Sequence, residues 1–158
     1  MRIFQAVLLT LSLVLLAASL HLDNAFVGLM VQVAVYALAV VFLSRWVAML
    51  QVLLATGYVL FFTGPDPIFV LTSLFWVLVF SWVLLDGRGS YSLRGLLVVP
   101  LAAVVRVVFS LLFSYAGLGV TGQLLNPFME LIALMAGGYA GIFSAAYMGP
   151  KLKEWLDR

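Results

Sequence analysis

Two ionisable residues, Arg106 and Glu130, lie within long apolar stretches and have the greatest potential for chemistry in this sequence. A charged side chain at the centre of a membrane helix costs at least about 2.5–3.5 kcal/mol, so each needs a compensating partner. Ala102, Arg106 and Ser110 recur at four-residue spacing and therefore share one helix face. This pattern predicts a polar face inside a helical bundle. It serves either as a structural lock between helices or as a site for a solute, a lipid headgroup or a partner.

Glu130 is the natural partner of Arg106 by charge, but the expected depths of the two residues differ. At a rise of about 1.5 Å per residue, Arg106 lies about 13 Å below Tyr115 and Glu130 about 6 Å below Asn126. A direct pair is therefore expected to be strained. Alternatively, the dipole of its own helix stabilises Glu130, and Gln32, Gln123 or a water completes Arg106. The candidate intramembrane polar site comprises Arg106, Glu130, Gln32 and Ser110.

Patterns that would indicate an enzyme, a metal site or a cofactor are missing. The chain has no cysteine, which excludes thiol nucleophiles and thiolate metal ligands. His21 and Asp23 are too few ligands for a metal ion. The stretch from Asp86 to Ser90 contains two glycines but lacks the Gly-Lys-Ser/Thr ending of a phosphate-binding loop. We expect a protein that is not an enzyme and has no cofactor and no metal.

Composition places these residues in a polytopic membrane protein. Of 158 residues, 66% are hydrophobic and only 9% are charged, whereas soluble domains carry roughly 25% charged residues. A span needs roughly 20 apolar residues, so we predict an all-α fold, a single transmembrane domain formed by a bundle of six helices with short loops. Asn126-Pro127 is typical of an N-cap followed by proline at the first helical position. The predicted spans are about 3–22, 25–43, 46–63, 68–85, 93–116 and 126–148.

The basic residues predict the orientation of the bundle. With the N-terminus inside, seven of them lie on the cytoplasmic side and none in an outer loop, as the positive-inside rule requires. Both termini are then cytoplasmic, in a cell (inner or plasma) membrane, and the first segment is expected to remain an uncleaved span. The net charge of +2 forms no stripe or groove for nucleic acid. The candidate cytoplasmic contact residues are Arg88, Arg94, Lys151, Lys153 and Trp155.

Small residues form a ridge along the sixth span. Ala133, Gly137, Gly141 and Ala145 follow one another at four-residue spacing, and Gly137 and Gly141 form a GxxxG step. Small residues let two helix backbones approach closely in lipid. This ridge predicts a packing surface, either within the chain or between chains. Beyond it, Gly149-Pro150 is expected to stop or bend the helix, which leaves 149–158 as a short cytoplasmic tail at the membrane interface.

In size and in its six-span layout the chain broadly resembles the MreD family of cell-shape proteins and the substrate-binding components of energy-coupling-factor transporters. Asp86, Gly89-Ser90 and Leu93-Arg94-Gly95 resemble the acidic-then-glycine loop of MreD. Here that loop follows the fourth span, later in the chain than in that family. No residue role is therefore carried over.

These features favour a non-enzymatic integral membrane subunit or scaffold of a larger bacterial-type membrane complex. The alternative is a small-solute or ion transporter, or its membrane substrate-binding component, with a polar site around Arg106 and Glu130. The expected partners are the lipid bilayer and other membrane protein subunits, with no nucleic acid. A homo-oligomer is compatible with the sequence.

Overall fold

The structure is a computed structural model that describes residues 2–64, 66–84, 91, 93–117 and 126–156, with the backbone alone for residues 2, 3, 152, 153, 155 and 156. The described residues form helices joined by turns. Five segments are long and apolar enough to cross a membrane, and the apolar part of the first helix, Phe4–Leu20, is slightly shorter. The predicted all-helical fold with membrane-length helices is confirmed. The helices are α1 Arg2–Leu20, α2 Ala25–Leu43, α3 Arg45–Phe62, α4 Pro67–Leu78 continued by a π-helical segment Val79–Leu84, α5 Gly95–Tyr115 and α6 Pro127–Leu156.

Helices α2, α4 and α6 each begin after an Asn or Asp whose side chain caps the first turn. The Oδ1 atom of Asn24 accepts hydrogen bonds from the backbone N–H groups of Phe26 and Val27. Asp66 accepts in the same way from Phe69, and Asn126 from Phe128. These caps satisfy N–H groups that have no partner within the helix. The predicted capping role of Asn126 is confirmed.

Helix α2 lies at the centre of the bundle and packs against α1, α3, α4 and α6. Its residue Tyr36 is almost fully buried and donates a 2.7 Å hydrogen bond to Ser73 of α4. Beside it, Trp76 stacks on Phe80 with their ring centroids 5.5 Å apart, and both side chains are fully buried. The hydrogen bond between Tyr36 and Ser73 therefore joins α2 to α4, and the stack of Trp76 on Phe80 lies within α4 and its π-helical continuation.

The small-residue ridge of α6 packs against α2 within the same chain. A Cβ atom added at Gly137 would collide with the backbone carbonyl of Met30, and one added at Gly141 would lie 2.5 Å from the Cβ of Ala37. Ala133 and Ala145 are also buried. The two helices run parallel, because Gly137 faces Met30 and the later residue Gly141 faces the later residues Ala34 and Ala37. The structure thus places the ridge inside the bundle.

Helices α5 and α6 run antiparallel. Gly95 faces Ile142, and Gly138 faces Val99. The Tyr139 hydroxyl donates a 2.8 Å hydrogen bond to the backbone carbonyl of Leu96. These contacts fix the position of α5 along the axis of α6. That relative position determines which residues of the two helices lie at the same depth.

The last helix does not stop at Gly149-Pro150 but continues to Leu156, over 30 residues in total. A helix of that length extends about 45 Å, more than the roughly 30 Å hydrocarbon core of a bilayer. Lys151 lies in the extension, donates a 2.6 Å hydrogen bond to the Tyr147 hydroxyl and sits 3.8 Å from the centre of its ring. The part of 149–158 that the structure describes is therefore a helical continuation of the span.

Tyr91, which lies in sequence between the π-helical segment and α5, contacts the core of the bundle. Its hydroxyl donates a hydrogen bond to the carbonyl of Ala37, and its ring lies 5.7 Å from that of Phe80. Burial raises the pKa of the Tyr91 phenol. The phenol thus remains a neutral donor throughout the physiological pH range.

A pH-dependent stability follows from this burial. Because the folded-state pKa of Tyr91 lies above its unfolded value of about 10, its contribution is complete below pH 10 and is lost as pH rises further. At neutral pH, Tyr91→Phe should lower the free energy of unfolding by about 0.5–1.5 kcal/mol, the usual net value of one hydrogen bond.

The test compares unfolding in detergent at about pH 7 and about pH 10.5. The difference between wild type and Tyr91→Phe should narrow at the higher pH, because other titrating groups cancel in that comparison. Tyr115→Phe is the control, since Tyr115 is 95% exposed and its hydroxyl should contribute nothing. A gap between wild type and Tyr91→Phe that stays constant with pH would contradict the burial argument.

Candidate site at the Arg106–Glu130 ion pair

Arg106 of α5 and Glu130 of α6 form a direct ion pair. The Nη1 group of Arg106 donates to Oε1 of Glu130, and each side chain is only 11% exposed. Burial of both groups keeps solvent from screening their attraction. Each charge thus neutralises the other within the apolar bundle. Of the partners considered for Arg106, the structure shows Glu130 in direct contact with it.

The expected strain arose from the assumption that α5 ends level with the start of α6. The contacts between Gly95 and Ile142 and between Val99 and Gly138 place Ser110, rather than Tyr115, level with Pro127. The last turn and a half of α5 therefore extends beyond the start of α6. This offset of about 7 Å cancels the difference in depth expected from the sequence.

Polar and charged groups lie near the pair. Ser110, one helical turn from Arg106, is buried on the same side of α5. The Asp66 carboxylate at the start of α4 adds a further favourable electrostatic interaction with Arg106. Glu130 lies in the first turn of α6, where the helix dipole stabilises a negative charge. Arg106 is thus compensated from two neighbouring helices.

Gln32 is the one residue of the predicted polar site that the structure does not bring to the ion pair. It lies in α2, is partly buried, and no hydrogen bond joins it to Arg106 or Glu130 in the described chain. Gln123, the other proposed amide partner, lies outside the described residues. The described site therefore consists of Arg106, Glu130 and Ser110, with Asp66 nearby.

A cleft of about 380 Å³ lies between α4 and α5, with Arg106 in its wall. Its lining is otherwise apolar or hydroxylic. The Nε atom of Arg106 is buried and has no hydrogen-bond partner among the described residues. The ion pair therefore links α5 to α6 beside an apolar cleft. The lining residues are Ile68, Leu71, Thr72, Leu74, Phe75, Leu78, Arg106, Phe109, Ser110 and Phe113.

Basic residues gather at the opposite end of the bundle from the Asn24 and Asp66 caps. Arg45 begins α3, Arg94 immediately precedes α5, and Lys151 lies in the extension of α6. Arg45 lies 5.7 Å from the ring of Trp82, whereas Arg94 and Lys151 are exposed. We call this end, with Arg2, Arg45, Arg94 and Lys151, the basic end. Of the other predicted contact residues, Arg88 and the side chains of Lys153 and Trp155 lie outside what the structure describes.

Several buried polar side chains elsewhere in the bundle were not expected from the sequence. Gln51 of α3 is fully buried, and neither atom of its amide has a hydrogen-bond partner among the described residues. The same holds for Trp76 Nε1 and Ser81 Oγ. The buried position of Gln51 could have been suspected from the sequence, because an amide side chain is unusual within an apolar span. Ser73, paired with Tyr36, could not be found in this way because serine is common in membrane helices.

The described site combines one ion pair with an apolar cleft. The described residues contain no group of three His, Cys, Asp or Glu side chains that could hold a metal ion. Arg106, Ser110, Thr72 and Phe75 line the cleft, whose surface is almost entirely apolar. No protein-family model, curated protein or solved structure matches this chain, so the geometry of the ion pair and the cleft is what bears on its function.

Proposed function

We propose that the chain is a non-enzymatic integral membrane subunit of a larger membrane protein complex, with its α4–α5 side facing another subunit. The observation that carries this proposal is the cleft between α4 and α5. Its surface is almost entirely apolar, and Leu71 and Phe109 in its wall are about half exposed, so a helix of another subunit can pack there by van der Waals contact. The small-residue ridge does not add to the proposal, because it is occupied by α2 of the same chain.

The basic end supports an orientation with both termini in the cytoplasm. Arg2, Arg45, Arg94 and Lys151 all lie at this end, and cytoplasmic loops carry an excess of Lys and Arg. In that orientation the helical extension of α6 projects into the cytoplasm of the cell. Lys151 and Arg94 then stand at the inner membrane surface, where anionic lipid headgroups or another subunit can contact them.

Purification from native membranes in a mild detergent tests the proposal. We expect the chain to co-purify with at least one other integral membrane protein in a stable ratio, identified by mass spectrometry. The complex should have a mass well above that of the 17.3 kDa chain. Recovery of the chain alone as a monomer, in detergents that keep known membrane complexes intact, would overturn the proposal.

A second candidate function is binding of a small apolar solute for transport. The volume of the cleft, about 380 Å³, lies within the range of small-molecule sites, roughly 300–1,000 Å³. If this function holds, the purified chain alone in liposomes changes the permeability to such a solute. A subunit that works only in a complex leaves the permeability unchanged.

A further inference from the structure

Pro100 interrupts the backbone hydrogen bonding of α5 close to the basic end. Proline has no N–H group, so the carbonyl four residues earlier in a helix loses its usual donor. Pro100 lies inside α5, and the carbonyl that loses its donor is that of Leu96, in the first turn of the helix. Lipid chains offer no replacement, so within a membrane such a carbonyl needs a donor from the protein or from water.

Tyr139 of α6 supplies this donor. Its hydroxyl donates a 2.8 Å hydrogen bond to the carbonyl of Leu96, which is the carbonyl that Pro100 deprives of its N–H partner. The ring of Tyr139 lies 6.4 Å from that of Phe143, one turn further along α6, so its own helix helps to position the hydroxyl. A side chain of a neighbouring helix thus replaces the donor that proline removes, which is one way in which membrane helices tolerate proline.

Contacts on both sides of Pro100 hold α5 against α6. Toward the basic end, the first turn of α5 is held by the packing of Gly95 and by the hydrogen bond from Tyr139. Beyond Pro100, the ion pair of Arg106 with Glu130 links the two helices. Prolines are the commonest positions of sharp bends in helices, because they lack one of the hydrogen bonds that couple successive turns. The first turn of α5 can therefore move independently of the part that carries Arg106.

We propose that Pro100 and Tyr139 form a latched hinge, in which the Tyr139 hydroxyl holds the first turn of α5 against α6. Loss of this hydrogen bond frees the Leu96 carbonyl and lets the first turn swing about Pro100. Arg94, the exposed residue that immediately precedes α5, moves with that turn. The latch therefore controls the position of one positive charge of the basic end relative to α6. This inference goes beyond the proposed function and does not depend on a partner subunit.

A double-mutant cycle tests the pairing of the two residues. Tyr139→Phe removes the hydroxyl and keeps the ring, and it should lower the Tm in detergent by about 2–4 °C, the shift expected for one hydrogen bond. Pro100→Ala restores an N–H donor for the Leu96 carbonyl, so in that background Tyr139→Phe should change the Tm much less. Tyr115→Phe is the control in both backgrounds, because Tyr115 is 95% exposed. An equal effect of Tyr139→Phe in both backgrounds would overturn the pairing.

Distances between spin labels, measured by electron paramagnetic resonance, test the hinge itself. The chain has no cysteine, so two introduced cysteines carry the only labels. A pair at Leu97 and Met148 reports on the first turn of α5 relative to α6. A control pair at Leu112 and Ile132 reports on the same two helices beyond Pro100. All four side chains are exposed, so the labels should not disturb the core.

Tyr139→Phe should broaden the distance distribution of the first pair and leave that of the control pair unchanged, and added Pro100→Ala should narrow the first distribution again. An unchanged first distribution in the folded Tyr139→Phe variant would overturn the latch. Equal broadening at both pairs would contradict a hinge at Pro100, because α5 would then separate from α6 as a whole. Broadening that Pro100→Ala does not reverse would show that Tyr139 acts independently of the proline. These measurements use the isolated chain, so their failure is distinguishable from failure of the proposed function.

Discussion

Gly141→Leu should prevent the chain from accumulating as a folded protein. A Cβ atom at this position already lies 2.5 Å from the Cβ of Ala37 and 3.1 Å from backbone atoms of Ala34. The backbone of α2 cannot move away without disturbing its packing on α1, α3 and α4. A leucine side chain therefore separates α6 from the centre of the bundle, and its level in membranes, measured by immunoblot, should fall to near background.

The smaller substitution Gly141→Ala measures the same contact in a protein that still folds. We expect it to lower the free energy of unfolding by about 1–3 kcal/mol, the usual cost of overpacking a close contact. Gly149→Ala is the matched control, because it lies on the same helix and a Cβ there meets nothing within 4 Å. Since alanine favours helix over glycine by about 1 kcal/mol, this control should be as stable as the wild type or slightly more stable.

The two alanine variants also separate the two interpretations of the ridge. If Gly141→Ala unfolds like Gly149→Ala but loses a co-purifying protein, the ridge contacts another chain. Reduced stability of the isolated protein instead shows that α2 and α6 meet within one chain. Reversible unfolding in detergent and co-purification from the same preparation provide both measurements.

The number and limits of the helices could be predicted from the sequence because they depend on local signals. Apolar stretches of membrane length and the Asn126-Pro127 cap predicted their positions, and the predicted span 25–43 coincides with α2 Ala25–Leu43. The end of α6 was less accurate, since the helix continues through Pro150 to Leu156. A proline in a membrane-protein helix breaks it only where its neighbours cannot compensate for the lost hydrogen bond.

Contacts between helices could be predicted only in part. The four-residue spacing of small residues indicated a packing face on α6, but nothing in that spacing selects α2 as its partner. The direct pairing of Arg106 with Glu130 depends on how far α5 slides past α6. That offset is set by the contacts of Gly138 and Gly95, so it is a property of the assembled bundle. The cleft between α4 and α5 arises in the same way.

Arg106→Leu and Glu130→Leu should each destabilise the bundle strongly, because each leaves one buried charge without its partner. Removal of one member of a buried ion pair typically costs about 3–5 kcal/mol. The two costs should differ in a definite order. The Glu130 carboxylate left by Arg106→Leu can become neutral by binding a proton, whereas the guanidinium left by Glu130→Leu cannot lose one. Glu130→Leu is therefore expected to be the more damaging variant.

The double variant Arg106→Leu/Glu130→Leu decides whether the ion pair or the individual side chains stabilise the fold. Replacement of a buried ion pair by apolar residues of similar size is often neutral or stabilising. The double variant should therefore have a higher free energy of unfolding than either single variant. Arg94→Leu is the control, because Arg94 is an exposed arginine immediately before the same helix. Additive effects of the two single substitutions, measured by reversible unfolding in detergent, would show that Arg106 and Glu130 act independently. Restored stability together with loss of a co-purifying partner would instead show that the pair contributes to recognition of that partner and not to the stability of the fold.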